Sequence, residues 1–256
     1  VSAWLEALPP GADLGLLAAV AVIAGIINAI AGGGSLLVIP LLIGVGLPPT
    51  VANGTLRIAV FVQAILATIT FERRGVREMR PALALMPTVV GGAALGTYVA
   101  TQIGDASMRW VFAILLVVWA VVLLVRPERF LATEVEPRRP TLLVQLVAIA
   151  VGFYGGFAQA GVGFPLLALA VLGLGKTTVQ GNAVKSTIVI AYTAVALGLF
   201  IAADDVAWRE GAALAAGGAI GGWLGARWQL RSGVALVRWM LVATLVVSAA
   251  AMLIPT

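Results

Sequence analysis

Residues 31–35 read Ala31-Gly32-Gly33-Gly34-Ser35, and they lie inside a charge-free run from Leu14 to Leu56. So long an apolar run belongs in a membrane. Three successive glycines cannot be an ordinary helix interior, because each costs about 1 kcal/mol relative to alanine. A backbone break at membrane depth leaves amide groups unpaired, and it is tolerated only where it is buried in protein or lines a polar cavity. A related stretch, Gly161-Val162-Gly163-Phe164-Pro165, lies downstream.

The rest of the chain agrees with this reading. Of its 256 residues, 61% are hydrophobic and 11% charged, against a usual charged share of about 25%. Further charge-free tracts cover 81–104, 141–175, 186–203, 211–226 and 239–256. Most reach or approach the ~17–25 residues that span a bilayer. The net charge of +5 is thinly spread, with most basic residues in a few short loops, which excludes a nucleic-acid face. The absence of Cys and His excludes disulfides, Cys/His metal or haem sites and His-based acid–base chemistry. No cofactor is expected.

The glycines divide the first tract into a helix, Leu14–Ala31, and a segment too short to span, Leu36–Ile43. Gly44–Pro49 is a turn. Full spans are expected over Thr50–Phe71, Pro81–Thr101 and Met108–Val125. The polar stretch Arg126–Pro140 is the midpoint. Residues 1–128 form an N-terminal transmembrane repeat, 129–140 a cytoplasmic linker and 141–256 a C-terminal repeat. The two repeats make one transport domain.

A shift of 129 residues supports the duplication. It aligns Gly32 with Gly161, Gly34 with Gly163, Asn53 with Asn182, Phe71 with Phe200, Gly92 with Gly221, Gly96 with Gly225 and Arg109-Trp110 with Arg238-Trp239. Loop charges then orient the halves. Loop 72–80 carries four Arg against two Glu, whereas its counterpart holds Asp204, Asp205 and Glu210 against Arg209. Loop 102–107 carries Asp105, and its counterpart 226–237 carries Arg227 and Arg231. Equivalent loops therefore fall on opposite sides of the membrane, and the repeats are inverted. Inversion needs an odd number of crossings per half, which a glycine-tipped hairpin plus three spans supplies. The expected fold is all-α, with about eight membrane segments and both termini external. A broken helix running straight through in each half would instead give parallel repeats, which the loop charges oppose.

Two glycine tips near the midplane match the discontinuous-helix sites of inverted-repeat transporters. Each tip begins a short helix, at Ser35 or Leu36 and at Phe164 or Pro165. Free N–H groups there, with a partial charge of roughly +0.5, would favour an anion. Arg57 and Lys185 lie inside matched spans, one position out of strict register, and no span carries an Asp or Glu to neutralise them. A buried cation costs at least ~2.5–3.5 kcal/mol on insertion scales, so it marks a pathway or a paired site. The alternative is that it snorkels to the interface. Asn53 and Asn182, one turn before these cations, offer amide donors to an oxyanion or cap their own helices. Asn28 and Gln159 line the cavity or bond the broken backbone. Thr55, Ser186 and Thr187 are weaker candidates, and Trp110, Trp208 and Trp239 are interfacial anchors. Gly92/Gly96 and Gly221/Gly225 read as helix-packing positions. The expected substrate site comprises Gly32, Gly33, Gly34, Ser35, Asn53, Arg57, Gln159, Gly161, Gly163, Asn182 and Lys185, with the two tips in contact.

Taken together, Gly25…Ala31-Gly32-Gly33-Gly34-Ser35…Pro40, Pro48…Ala52-Asn53-Gly54-Thr55 and Gly161-Val162-Gly163-Phe164-Pro165 resemble the TauE/SafE family of sulfite and sulfonate exporters. The resemblance covers nearly the whole chain. It implies an inner-membrane permease of about eight segments that exports sulfite, sulfoacetate or a related small sulfur oxyanion. The second repeat departs from the triple glycine at Val162 and Phe164. An alternating-access carrier is the leading expectation, and an anion channel, or a permease for another small inorganic or carboxylate anion, is the alternative. A membrane enzyme is disfavoured, since no span offers a nucleophile–base pair or a metal-ligand cluster. No nucleotide-binding motif is present. Its partners are the small anion and the lipid bilayer, and its small-residue faces would allow a homodimer.

Overall fold

The computed structural model describes residues 11–125 and 136–253. Within them the chain is all-helical. In order come α1 (Ala12–Ile30), α2 (Ser35–Gly44), α3 (Pro49–Arg73), α4 (Met79–Gln102) and α5 (Asp105–Val125). The second half holds α6 (Leu142–Phe157), α7 (Gly163–Ala168) with a π-turn over Leu169–Gly173, α8 (Thr178–Ala202) and α9 (Trp208–Leu253). Four helical stretches are long and apolar enough to cross a membrane: Asp13–Ile30, Pro49–Arg73, Met79–Gln102 and Thr178–Ala202. Linker residues 129–135, the terminal residues 1–10 and 254–256, whose external placement was expected, and the Trp239 side chain lie outside the described residues.

Local signals explain most boundaries. Helix α1 stops where Gly32 takes φ +99°, and the second tip turns at Gly161 with φ +72°, backbone that costs glycine nothing. Pro49 starts α3 at the position where its missing N–H does no harm. Thr177 and Gln180 form a reciprocal capping box at the start of α8. One boundary differs from expectation. The anticipated loop 226–237 is helical, and α9 runs 46 residues without a break. In the first repeat Gly104 is followed by Asp105, an acidic residue suited to a new helix start. The aligned pair is Gly233-Val234, and valine has no capping group.

The halves are interwoven. The most extensive packing is of α1 on α9 and of α4 on α6, followed by α9 on α3 and α4 on α8, with α3 on α8 across the middle. Applying the 129-residue shift exchanges the first two pairs, exchanges the next two, and returns α3–α8 to itself.

Glycine contacts give the directions. Gly217, Gly221 and Gly225 of α9 meet the backbone of Ala18, Val22 and Ile26 in α1. Gly218 and Gly222 meet Ala59 and Gln63 of α3, and Gly92 and Gly96 of α4 meet Ile149 and Phe153 of α6. Each series ascends together, so these helices pair in parallel. Between α3 and α8 the order reverses: Gly54 lies on Phe200, while Phe71 clusters with Val179 and Ala183. Glu78, just before α4, pairs with Lys176, just before α8, at 2.7 Å, and Arg138 N–H, just before α6, bonds Leu174 O at 2.9 Å. So α4, α6 and α8 all start at the end where α3 finishes. Helices α1, α3 and early α9 run one way and their repeat counterparts α6, α8 and α4 run the other.

Polar turns collect at two ends. One holds the Glu78–Lys176 pair, close to the arginine-rich turn after α3. At the other, Thr50 Oγ1 donates to Asp105 at 2.7 Å and Ala207 N–H donates to Thr55 at 2.9 Å. Burial raises the Asp205 carboxyl above its usual range; Asp105 and Asp204 add to this, and a Thr50 bond opposes it. Between the ends, large apolar side chains such as Leu95, Tyr98, Ile114, Leu142 and Leu143 face outward, as a lipid-facing surface requires.

A methyl on Gly92 would collide with Ile149 O, whereas Gly91 has open space around it. Gly92→Val should therefore cost about 1–3 kcal/mol of stability, and Gly91→Ala should cost nothing. Apparent Tm in detergent reads both. Equal Tm for the two variants would contradict the close α4–α6 packing.

Candidate functional site

A helix that stops inside the membrane leaves its last carbonyls without intrahelical donors and with a partial negative charge. Helix α1 leaves Asn28, Ala29 and Ile30 in this state, and α6 leaves Gly155, Gly156 and Phe157. Each set is satisfied by a cation and an amide from the other half of the chain. Lys185 Nζ of α8 donates to Asn28 O at 2.7 Å, to Ala29 O at 3.3 Å and to Asn182 Oδ1 at 2.5 Å. Asn182 Nδ2 then donates to Ile30 O at 2.7 Å. On the other side Arg57 of α3 donates to Gly155 O at 3.1 Å, to Gly156 O at 2.6 Å, and to Gln159 Oε1 and Asn53 Oδ1 at 3.1 and 3.3 Å. Asn53 Nδ2 donates to Phe157 O at 2.8 Å, and Thr97 Oγ1 adds a 2.9 Å bond to Gly156 O.

This arrangement answers two questions left open by the sequence. Arg57 is 0% exposed and Lys185 3%, so neither snorkels. Their partners are helix-end carbonyls and amides, and Asn53 and Asn182 cap the other repeat's broken helix, not their own. The Arg57 guanidinium also lies 4.8 Å from the centre of the Phe200 ring, a cation–π contact.

The two tips touch. A side chain on Gly32 would strike the backbone of Gly163, and one on Gly163 would strike Gly32. Ser35 is the first residue of α2, with Gly34 at the cap position, so its hydroxyl does not cap its own helix. It donates to Gln159 O at 3.1 Å and accepts from Gly161 N–H at 2.9 Å. Helix α7 begins at Gly163, one residue before the expected start at Phe164. Above the second tip Trp119 Nε1 donates to Tyr154 at 2.6 Å, and Tyr154 in turn donates to Ala160 O.

Beside the crossing lies a cavity of about 20 Å³, room for water and too small for an organic anion. Its polar lining is Asn28, Gln63, Gln159, Lys185, Ser186 and Tyr192, and the second tip contributes Val162 and Gly163. Of the anticipated site residues, Gln159, Gly163 and Lys185 line this space. Gly32, Gly33, Gly34, Ser35 and Gly161 build the crossing, and Asn53, Arg57 and Asn182 hold the helix ends behind it. Gln63 and Tyr192 were not anticipated. They occupy matching positions under the 129-residue shift, so a search for polar pairs inside the aligned spans would have found them. Tyr192 donates to Gln159 Oε1 at 3.2 Å. Thr187 bonds Ala183 O within its own helix, at 3.0 Å. Trp110 and Trp208 are exposed near helix starts.

Fold and site together define a multi-pass helical membrane protein with a buried polar cavity between two broken helices. The chain belongs to the sulfite exporter TauE/SafE family, whose model matches residues 17–252. It is 34% identical over 252 residues to the probable membrane transporter protein YfcA of Escherichia coli strain K12, covering 94% of this chain and 89% of that one. It is 30% identical over 231 residues to a probable membrane transporter protein of Haemophilus influenzae, covering 90% of each. A probable membrane transporter protein ORF9 of a Sinorhizobium species is 26% identical over 230 residues, 90% of this chain and 88% of that one. No solved structure matches.

Asn53→Ala and Asn182→Ala each leave a buried carbonyl unpaired, at a cost of about 1–3 kcal/mol. Both should lower apparent Tm more than Thr187→Ala, which removes a bond inside one helix. Equal shifts in all three variants would rule out the capping role.

Proposed function

We propose that this membrane transporter carries a small sulfur-containing anion, such as sulfite, sulfoacetate or a related organosulfonate, outward across the inner membrane. The observation that carries the reading is Lys185. It is a buried cation with no carboxylate partner, on the wall of a polar cavity where two broken helices cross. All three of its N–H donors are occupied by oxygens, so an incoming oxyanion would replace one carbonyl contact without leaving the charge unpaired. Gln63, Ser186 and the amide of Asn28 supply neutral donors around the same space. Arg57 and the two asparagines hold the helix ends that shape it.

The proposed topology is two inverted repeats in about eight membrane segments, with loop 72–80 on the cytoplasmic side and both termini external. The opposite running directions of matched helices support the inversion. Two separate ends for the polar turns support hairpins that open to opposite faces. At ~1.5 Å per residue α9 is about 69 Å long, more than twice the ~30 Å hydrocarbon layer. In this reading α9 therefore supplies two of the segments. The small volume of the cavity at the crossing favours an alternating-access carrier over an open channel. Contacts that map onto one another under repeat exchange suit two alternative states of similar energy.

A thermal-shift screen of purified protein against sulfite, sulfate, thiosulfate, sulfoacetate, taurine and carboxylate analogues tests the substrate class, because a bound ligand raises apparent stability. Sulfite or sulfoacetate should give the largest shift, and Lys185→Gln should weaken it at least tenfold in apparent Kd, about 1.4 kcal/mol. A preference for carboxylates would overturn the substrate, and undiminished binding in the variant would overturn the role of Lys185.

A further inference from the structure

One buried polar side chain belongs to neither helix cap nor cavity. Gln229 of α9 is 1% exposed, and its amide nitrogen and amide oxygen are both buried without a hydrogen-bond partner among the described residues. No other described residue has two such atoms. An unpaired amide in a membrane interior is costly, and an intramembrane polar group of this kind is a functional candidate by default.

Its position is set by the α9 packing face. Gly222 meets Gln63 of α3, and Gln63 lines the cavity. One turn on, Ala226 clusters with Ala29, Ala67 and Ala183, flanked by Phe71. Ala29 and Ala67 are also cavity-lining residues, so this alanine layer is the floor between the cavity and the arginine-rich end. Gln229 follows Ala226 by three residues and Gly222 by seven, which keeps it on the same helix face, one turn past the floor. At nearly the same depth on α3, Thr68 Oγ1 is also buried and unpaired.

The opposite end has no equivalent. Under the 129-residue shift Gln229 corresponds to Ala100 and Thr68 to Leu197. The counterpart layer contains Gly54, Ala158 and Ala196 beside Phe200, on which Arg57 packs, and Thr97, whose hydroxyl is already bonded to Gly156 O. The arginine-rich end therefore has unpaired polar groups behind a thin floor of methyl groups, while the other end is apolar at those positions.

We propose that Gln229 is a binding station for the anion on the cytoplasmic access path, reached when the alanine floor of Ala29, Ala67, Ala183 and Ala226 parts. Its amide N–H groups then donate to anion oxygens passing between the cavity and the arginine-rich loop. This rests on the transport reading and on its assignment of loop 72–80 to the cytoplasm.

The chain has no cysteine, so Gln229→Cys introduces a single thiol. In sealed vesicles of each orientation, a membrane-impermeant methanethiosulfonate reagent should label it from the side of loop 72–80 and not from the other, and sulfoacetate, which does not react with the reagent, should slow the labelling. Ala100→Cys should resist labelling from the loop 72–80 side. No labelling at 229, or equal labelling from both sides, overturns the proposal. Gln229→Leu keeps the bulk and removes the unpaired amide, so it should raise apparent Tm while slowing sulfite counterflow in proteoliposomes at least threefold. A purely structural Gln229 would give the higher Tm with counterflow unchanged, which also overturns it. If the wild-type protein carries neither sulfite nor sulfoacetate, the substrate reading fails, and the sidedness of labelling still decides whether position 229 lies on an access path.

Discussion

Both broken helices end on carbonyls that groups from the other half of the chain satisfy. Six orphan carbonyls, three on each side, would be intolerable in an apolar interior. Two cations and two asparagines neutralise them across sequence separations of 98 to 157 residues. The exchange works in both directions. The cations avoid the cost of isolated burial because the helix ends are negative, and the helices can stop at mid-depth because the cations are there. Removing either side leaves the other uncompensated.

The glycines bring these groups into range. Backbone-on-backbone approach at Gly32 and Gly163 brings the tips together, and the glycine stripes of α4 and α9 seat the opposite repeat's first helix. In a lipid environment, where apolar burial between helices gains little, close van der Waals packing of small residues is the main source of helix association. The result is a pair of halves threaded through one another, with the polar cavity at their crossing.

The helices and their ends were largely legible. Charge-free tracts, Pro49 and the glycine tips marked α1 to α5 to within a few residues. Helix α9 differs from the sequence reading: Arg227 and Arg231 marked a loop, yet arginine is a good helix former, and the helix runs on through Gly233. The polar lining was partly legible. Lys185 and Gln159 stood out as polar residues in apolar runs, whereas Gln63 and Tyr192 stand out only when the two repeats are overlaid. In the sequence Ser35 marks only the start of a short helix. It bridges to the second tip instead, because the hydroxyl of a first-turn residue is free to leave its helix when a better acceptor lies nearby.

By itself the sequence determined that this is an all-helical chain for a membrane, with two glycine-rich breaks and two cations in apolar spans that hold no carboxylate. These follow from composition, periodicity and loop charge, which are local quantities. What the cations bind was decided only in three dimensions. A charge in an apolar span needs a partner, but the partner here is a backbone carbonyl, which every residue carries and no sequence pattern distinguishes. Only the crossing of the two hairpins selects which carbonyls face Arg57 and Lys185, and so where the cavity lies.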